Sequence, residues 1–223
     1  MAVVIRSLLD RELTELNDDT IRLASMVDEA IGHSMEALNR RDVIFAQQVI
    51  AQDEKLNLLR YKIEQNALRT LATQQPAAGD LRFIIATLHI VGELERMGDH
   101  AVGIARLVNQ LEEEPALDSL HQLPKMAKRA RLMLQECLDA YVARSADMAH
   151  AIIKQDDKLD KQYHKLFRQT LEEMRDDEYI HRATSLLWAG HNLERIGDRA
   201  TNIAERVIFM TTGVYVEVDL QTP

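Results

Sequence analysis

The sequence predicts an all-α protein made of two tandem antiparallel three-helix bundles. Apolar residues recur at intervals of three and four over long stretches, which is the spacing that places them on one face of a helix. Gly and Pro contribute only 8 and 4 of the 223 residues, too few for a fold with many turns. The pattern of the first half also returns in the second half, which indicates an internal duplication.

The first half contains three long apolar patterns separated by two breaks. The second break holds Pro76 and Gly79, where proline removes an amide donor and glycine permits a tight reversal. Asp80 follows and is a candidate N-cap of the third helix. The acidic run 112–114 and Pro115 end that helix and mark the boundary between the two halves. The predicted helices cover residues 11–38, 43–71 and 81–111.

The second half repeats this arrangement after the boundary. Its apolar patterns predict helices over 124–142, 146–174 and 179–210. Helices of about 28 residues are about 40 Å long, and short connections between them make neighbouring helices antiparallel. We therefore expect two repeat units and an irregular or extended tail, over residues 8–111, 119–212 and 213–223.

The duplication is visible residue by residue. Residues 94–107, moved forward by 99 positions, align with residues 193–206 and show eight identities in fourteen positions. An offset of 103 aligns the second helices, where Asp53 matches Asp156. Because the two offsets differ by four, the second unit has a shorter connection between these helices.

Composition and charge exclude several classes of protein. The chain is 46% hydrophobic and 28% charged, so it can bury a core, and its formal net charge is −9. The negative electrostatic field of this net charge repels phosphate backbones and anionic lipid headgroups, so we expect no nucleic acid partner and no direct membrane insertion. The apolar start is too short for a signal sequence and no long apolar run follows, which predicts a cytoplasmic protein. Cys137 lies in an apolar pattern and is predicted to be a core residue.

Acidic residues recur at a spacing of four on the predicted helices, and each pair places two carboxylates on one helix face. Like charges at this spacing destabilise a helix by roughly 0.2–0.5 kcal/mol. Glu95 and Glu194 have no lysine or arginine three or four residues away on the same helix. Arg96 and Arg195 can each reach the aspartate three residues further on. A hard divalent or trivalent cation is the other means of relieving the repulsion. The pairs are Glu95 with Asp99, Asp156 with Asp160, and Glu194 with Asp198.

Two acidic faces able to hold a hard cation are therefore predicted, with Mg²⁺, Mn²⁺, iron or Zn²⁺ as the candidate ion. Gly98 and Gly197 remove side-chain bulk beside the pairs. Asn57 stands where the second unit has Asp160, so the first site is expected to be the weaker one. The predicted ligands are Asp53, Glu95, Asp99, Asp156, Asp160, Glu194 and Asp198.

Other interpretations of these acidic residues stay open. They fit a solvated acidic ridge in which the glycines serve close helix packing. A metal-dependent hydrolase or oxidase would need an open coordination position and a general base, and no candidate base stands beside both motifs. A metal-free structural adaptor is a further alternative.

The doubled acidic motif resembles that of a known family. Glu95-Arg96-Met97-Gly98-Asp99 and Glu194-Arg195-Ile196-Gly197-Asp198, each on the third helix of a unit, are similar to the motif of the PhoU family, the accessory and regulatory proteins of phosphate-specific transport. Asp80-Leu81-Arg82 and the acidic residues of the second helices are similar to that family as well. The resemblance covers about residues 8–212, and Asn57 departs from it.

This resemblance implies a non-enzymatic cytoplasmic protein, expected to be a homodimer, that restrains phosphate uptake and the phosphate-starvation response. It implies contact with the ATPase subunit of the phosphate ABC transporter and with a phosphate-sensing histidine kinase. Some members of the family bind metal clusters through these carboxylates, so the resemblance supports the predicted ligands. Composition and spacing by themselves do not point to phosphate.

Overall fold

The computed structural model describes residues 2–112, 114 and 120–216, and this part of the chain is helical without strands, as the sequence predicts. A 3₁₀ turn over Asp177–Tyr179 precedes the last helix. None of the described helices is long and apolar enough to span a membrane. The helices are α1 Ala2–Arg40, α2 Val43–Gln74, α3 Ala78–Gln110, α4 Leu123–Ala143, α5 Ala146–Ile153, α6 Asp156–Glu173 and α7 Ile180–Thr212.

The helices pack as two bundles, which confirms the predicted fold class. α1, α2 and α3 pack on one another, and α4 packs with α5, α6 and α7. α3 also packs along α7, so the two bundles share one core in which Leu94 and Leu193, at matching positions, are fully buried. Asp28 of α1 and Arg131 of α4, which occupy matching positions 103 residues apart, join the bundles by an ion pair of 2.7 Å.

Equivalent turns join the first two helices of each unit. Arg41 and Arg144, 103 positions apart, take the left-handed backbone conformation with φ of 53° and 48°. The amide after each of them bonds to the carbonyl five residues earlier, at 3.0 Å in both turns. Asp42 and Ser145 then cap the next helix by accepting the amide three residues further on. The same hydrogen bonds at the same offset support the duplication.

Polar contacts between α3 and α7 follow the same pseudo-symmetry. Glu93 accepts hydrogen bonds from Arg199 at 3.3 Å and from Asn202 at 3.0 Å. The counterpart of Glu93 on α7 is Asn192, whose Oδ1 lies 3.0 Å from Nδ1 of His100, the counterpart of Arg199. The two bundles therefore meet through two sets of contacts, and the two residues of the second set match Glu93 and Arg199 of the first.

The predicted continuous helix over 146–174 is wrong, because the chain breaks there into α5 and α6. The Gln155 amide bonds to the Ile152 carbonyl three residues back, at 2.8 Å, which closes α5 with a tight turn. No proline or glycine occurs at this point of the sequence. The local sequence therefore contains no helix-breaking residue that predicts the break.

A contact between helices accompanies the break. The Gln155 side chain donates a hydrogen bond to Glu136 of α4. In the first unit the matching residues are Gln52 and His33, and α2 runs through this position uninterrupted. The break makes Asp156 the first residue of α6, where a carboxylate is favoured by the helix dipole.

The start of the third helix also differs from the prediction. α3 begins at Ala78, and Ala77, in an extended conformation, takes the N-cap position without a side-chain hydrogen bond. Asp80 lies in the first turn, where its amide bonds to the Ala77 carbonyl at 3.1 Å. The helix starts earlier than predicted because a backbone hydrogen bond closes its first turn, and Asp80 is not its N-cap.

Cys137 is confirmed as a core residue. Its thiol is buried and donates a hydrogen bond to the Ala200 carbonyl at 3.1 Å, and burial raises the pKa of the thiol.

After α7, Tyr215 stacks on Phe209 with ring centroids 4.3 Å apart. The predicted unit bounds 8–111 and 119–212 and the tail 213–223 stay predictions, because residues 113, 115–119 and 217–223 lie outside the described part of the chain.

Candidate metal-binding faces

The second acidic face consists of four carboxylates, from Asp156 and Asp160 on α6 and from Glu194 and Asp198 on α7. Each pair lies one turn apart on its own helix, and the packing of α6 on α7 brings the two pairs together. Their charges act on one another. Burial, followed by the charges of Asp160, Asp198 and Glu194, raises the pKa of Asp156 to about 6.

The other carboxylates of the second acidic face are perturbed in the same direction. Burial and then Asp198 raise the pKa of Asp160 and the pKa of Glu194. Carboxylates that raise one another's pKa lie close together and are incompletely solvated. A cation placed among them would lower the free energy of the ionised state.

The first acidic face consists of Asp53 on α2 and of Glu95 and Asp99 on α3. Burial and then Asp99 raise the pKa of Asp53 and the pKa of Glu95. Two hydrogen-bond donors also belong to this face. Asn57 Nδ2 lies 2.8 Å from Asp53 Oδ2, and Arg60 Nη1 lies 3.4 Å from Glu95 Oε1. The three predicted ligands come together here in contact with a neutral amide and a guanidinium.

One buried carboxylate oxygen lies beside the motif glycine in each face. Asp53 Oδ1 and Asp156 Oδ1 are buried and accept no hydrogen bond from the described residues. A Cβ atom placed on Gly98 would lie 3.8 Å from the first oxygen, and one on Gly197 would lie 3.5 Å from the second. A buried charged oxygen without a donor costs free energy unless a cation lies near it. Each face therefore contains one unsatisfied buried oxygen, and a positive charge near it would lower the free energy of the folded chain.

The arginines of the two motifs point in different directions. Arg195 Nη1 lies 3.1 Å from Asp198 Oδ2, as the spacing predicts. Arg96 does not reach Asp99 and instead pairs with Glu93 Oε1 at 2.5 Å. Glu93 is the residue that also accepts hydrogen bonds from α7, so it draws Arg96 toward the interface between the bundles and away from the acidic face.

The carboxylates do not yet converge on one point. Among the residues that the structure describes, no three histidine, cysteine, aspartate or glutamate side chains are arranged so that they could hold an ion. Cation binding therefore requires rotation of these side chains.

Asp156→Asn is expected to stabilise the protein at pH 8 in the presence of chelator, by about 1 kcal/mol after allowance for solvent screening. The pKa of Asp156, about 6 in the folded protein, lies above its ordinary value of 3.8. The protonated carboxyl therefore contributes stability that is complete below about pH 4 and is lost as the pH rises through 6.

Urea unfolding of the wild type and the variant at several pH values checks this expectation. The stability difference should be largest at pH 8 and should shrink toward pH 4. The matched control is Asp147→Asn, which changes an exposed aspartate in the first turn of α5. A difference that does not depend on pH would contradict the prediction.

Arg60 belongs to this site although helical spacing around the two glutamates does not reveal it. It reaches Glu95 from the neighbouring helix, whereas the positions three or four residues from each glutamate can reveal only cations of the same helix. One signal was present in the sequence, because Arg60 follows Asp53 by seven residues, or about two turns, and so lies on the same face of α2. The second unit has Tyr163 at the matching position.

The profile of the PhoU domain matches the chain twice, over residues 20–108 and 123–207. The first match includes about half of α1, all of α2 and nearly all of α3, and the second covers α4 to α6 and most of α7. Each match contains one of the two acidic faces.

Relatives and solved structures are similar over nearly the whole chain. A phosphate-specific transport system accessory protein PhoU homolog from Clostridium acetobutylicum is 37% identical over 216 residues, which are 96% of this chain and 99% of that protein. A PhoU homolog from Streptococcus pneumoniae is 35% identical over 216 residues, 96% of this chain and 100% of that one.

Two crystal structures share the fold. PhoU from Pseudomonas aeruginosa matches with a TM-score of 0.86 at 34% identity, over 92% of this chain and 99% of that chain. The phosphate transport system regulatory protein PhoU from Streptococcus pneumoniae matches with a TM-score of 0.87 at 34% identity, over 94% of this chain and 100% of that chain.

Proposed function

The chain belongs to the PhoU family. We propose that it is a non-enzymatic negative regulator of phosphate uptake and of the phosphate-starvation response. It acts in the cytoplasm as a homodimer, by contact with the ATPase subunit of a phosphate ABC transporter and with a phosphate-sensing histidine kinase. The names of its relatives support the proposal, since one is an accessory protein of phosphate-specific transport and another a regulatory protein of a phosphate transport system.

The observation that carries this proposal is the occurrence of two PhoU domains in one chain, each with an acidic face at matching positions. The first acidic face lies on α2 and α3, and the second lies on α6 and α7. A regulator of this kind works by binding. A contact that is stronger with one state of a partner shifts the partner's equilibrium toward that state, and no bond has to be made or broken.

Metal binding at the second acidic face is part of the proposal. Asp156, Asp160, Glu194 and Asp198 would hold a hard cation, and their all-oxygen donor set favours Mg²⁺, Mn²⁺ or iron over Zn²⁺, which takes nitrogen and sulfur readily. The buried Asp156 Oδ1, which accepts no hydrogen bond from the described residues, supports this assignment. The cation would supply the positive charge that four neighbouring carboxylates need.

The break between α5 and α6 gives this face a structural role. α6 is a separate helix of 18 residues, and Leu159 and Leu166 are among its few buried residues. Asp156 at its first residue and Asp160 one turn later would tie the start of α6 to the middle of α7. Neutralising the second acidic face therefore stabilises one position of α6, and with it one shape of the surface that a partner meets.

Deleting this protein should leave a reporter of the phosphate-starvation response expressed in abundant phosphate, because the contact that holds the response off is lost. Wild-type protein supplied from a plasmid should restore repression. Protein purified from cells grown in abundant phosphate should carry the transporter ATPase and the kinase with it.

Normal repression in the deletion strain would contradict the proposed regulation, and recovery of neither partner would contradict the proposed contacts. The plasmid also separates the alternatives for the acidic faces. If a variant with both faces neutralised represses the reporter as well as the wild type does, the protein is a metal-free adaptor.

A further inference from the structure

The two acidic faces differ most at two positions of their second helices. Asn57 and Arg60 of α2 match Asp160 and Tyr163 of α6. We propose that Arg60 is a built-in counter-cation of the first acidic face, with Asn57 beside it, so that the chain binds a metal ion through the second acidic face only. This inference rests on the metal binding proposed above.

Arg60 is held in place by several neighbours. Its Nη1 lies 3.4 Å from Glu95 Oε1 across the helix interface, and its Nε lies 3.1 Å from Glu64 Oε1 one turn further along α2. The Tyr61 ring lies beside the guanidinium, with its centroid 5.0 Å from Cζ. The Arg60 side chain is 24% exposed, so its charge acts on Glu95 with less screening than a fully solvated charge would.

Asn57 satisfies a second carboxylate of the first acidic face. Its side-chain amide donates a hydrogen bond of 2.8 Å to Asp53 Oδ2, on the same helix face one turn earlier. An N–H group that points at a carboxylate oxygen uses the lone pair that a metal ion would need. The first acidic face thus has fewer free oxygens and one fixed positive charge.

The second acidic face has neither feature. Asp160 adds a carboxylate where Asn57 stands in the first unit, and Tyr163 lies beside the His191 ring, with centroids 6.3 Å apart, where Arg60 would be. Burial and every charge that acts appreciably on Asp156 raise its pKa. For Glu95, Arg60 of the neighbouring helix lowers the pKa against the effects of burial and of Asp99, whereas the cation that most lowers the pKa of its counterpart Glu194 is Arg195, the next residue of the same helix.

The cation nearest the second acidic face does not replace Arg60. Arg195 lies 3.1 Å from Asp198 and 3.9 Å from Glu194, both on its own helix, and its side chain is 44% exposed. It can therefore turn into solvent when an ion binds. Its counterpart Arg96 is similarly exposed at 56%. Arg60 is anchored to Glu64 and Glu95 on two helices and cannot leave in the same way.

Exchange of the two positions between the units tests the inference. Asn57→Asp/Arg60→Tyr gives the first acidic face the composition of the second, and Asp160→Asn/Tyr163→Arg does the reverse. Mn²⁺ binding is counted by equilibrium dialysis and by the loss of the free-ion signal in electron paramagnetic resonance, with circular dichroism as the check on folding.

The first exchange should add Mn²⁺ equivalents to those of the wild type, and the second should remove most of the wild-type binding. Glu95→Gln/Asp99→Asn should leave wild-type binding unchanged. If that variant loses as much Mn²⁺ as Glu194→Gln/Asp198→Asn does, or if the first exchange folds and adds none, the inference is overturned while metal binding itself stands.

A measurement in chelator tests Arg60 without any metal. Arg60→Met should lower the melting temperature by about 2–4 °C, because Glu95 and its neighbours lose their counter-charge. Adding Glu95→Gln should restore part of the loss, which a purely packing role of Arg60 would not do. If the wild type binds no Mn²⁺, the metal binding in the proposed function is overturned, and so is the inference that the second acidic face binds the ion. Absence of rescue would overturn the role of Arg60.

Discussion

Saturating Mn²⁺ is expected to raise the melting temperature of the wild-type protein by about 5–11 °C, and Glu194→Gln/Asp198→Asn should abolish most of that rise. A cation that binds only the folded chain adds RT ln(1 + [L]/Kd), about 2.7 kcal/mol at a hundredfold excess over Kd, and a protein of this size gains about 2–4 °C per kcal/mol. The double variant removes two of the four carboxylates of the second acidic face. In chelator it should melt slightly higher than the wild type, because like-charge repulsion is relieved.

The matched control changes the same two residues of the first unit. Glu95→Gln/Asp99→Asn should keep the Mn²⁺-dependent rise, because Asn57 and Arg60 already contact two of the three carboxylates of that face. Thermal unfolding followed by circular dichroism, with Mn²⁺ and with chelator, gives all the shifts. Equal rises in the wild type and in both double variants would show that neither acidic face binds the ion.

Gly197→Ala should destabilise the protein by about 1–3 kcal/mol, the usual cost of overpacking a core. A Cβ on Gly197 would lie well inside contact distance of the Leu159 Cδ2 methyl group on α6, and Leu159 is fully buried. Gly92→Ala should instead stabilise the protein by up to about 1 kcal/mol. A Cβ there meets none of the described atoms within 4 Å, and alanine favours a helix over glycine.

Gly98→Ala should fall between these two substitutions. A Cβ on Gly98 would lie 2.9 Å from Leu56 Cδ1, so a smaller shift accommodates it than in the second unit. Urea unfolding with unchanged m-values orders the three variants. If Gly197→Ala were as stable as Gly92→Ala, α6 would not pack on α7 as closely as the structure indicates, and the second acidic face would be more open.

Much of the fold was predictable because helices repeat every 3.6 residues. The apolar spacing placed α1 to α4 and α7 correctly, with ends that moved by a few residues in most cases and further at the start of α1. The duplication then predicted which carboxylates would lie together. Glu95 and Glu194 are at matching positions of their units. In each unit the aspartate four residues later lies on the same helix face as the glutamate, because residues at this spacing are one turn apart.

The interruption of the predicted fifth helix was not predictable from local sequence. The residues at the break include neither proline nor glycine, and Gln155 is matched in the first unit by Gln52 within an unbroken helix. The difference lies on α4, where Glu136 accepts the hydrogen bond of Gln155. This contact joins residues 19 positions apart in the sequence, so a pattern read along one helix does not contain both of them.

The sequence by itself determined the helical class, the duplication and the membership of the two acidic faces, because each depends on spacing within one segment or on identity between two segments. Only the tertiary structure decided how those faces are compensated. Arg60 reaches Glu95 from another helix, and Arg96 turns from Asp99 to Glu93. The physical reason is that Coulomb interactions depend on distance in space and on burial, and both quantities are set by the packing of helices that are remote in the chain.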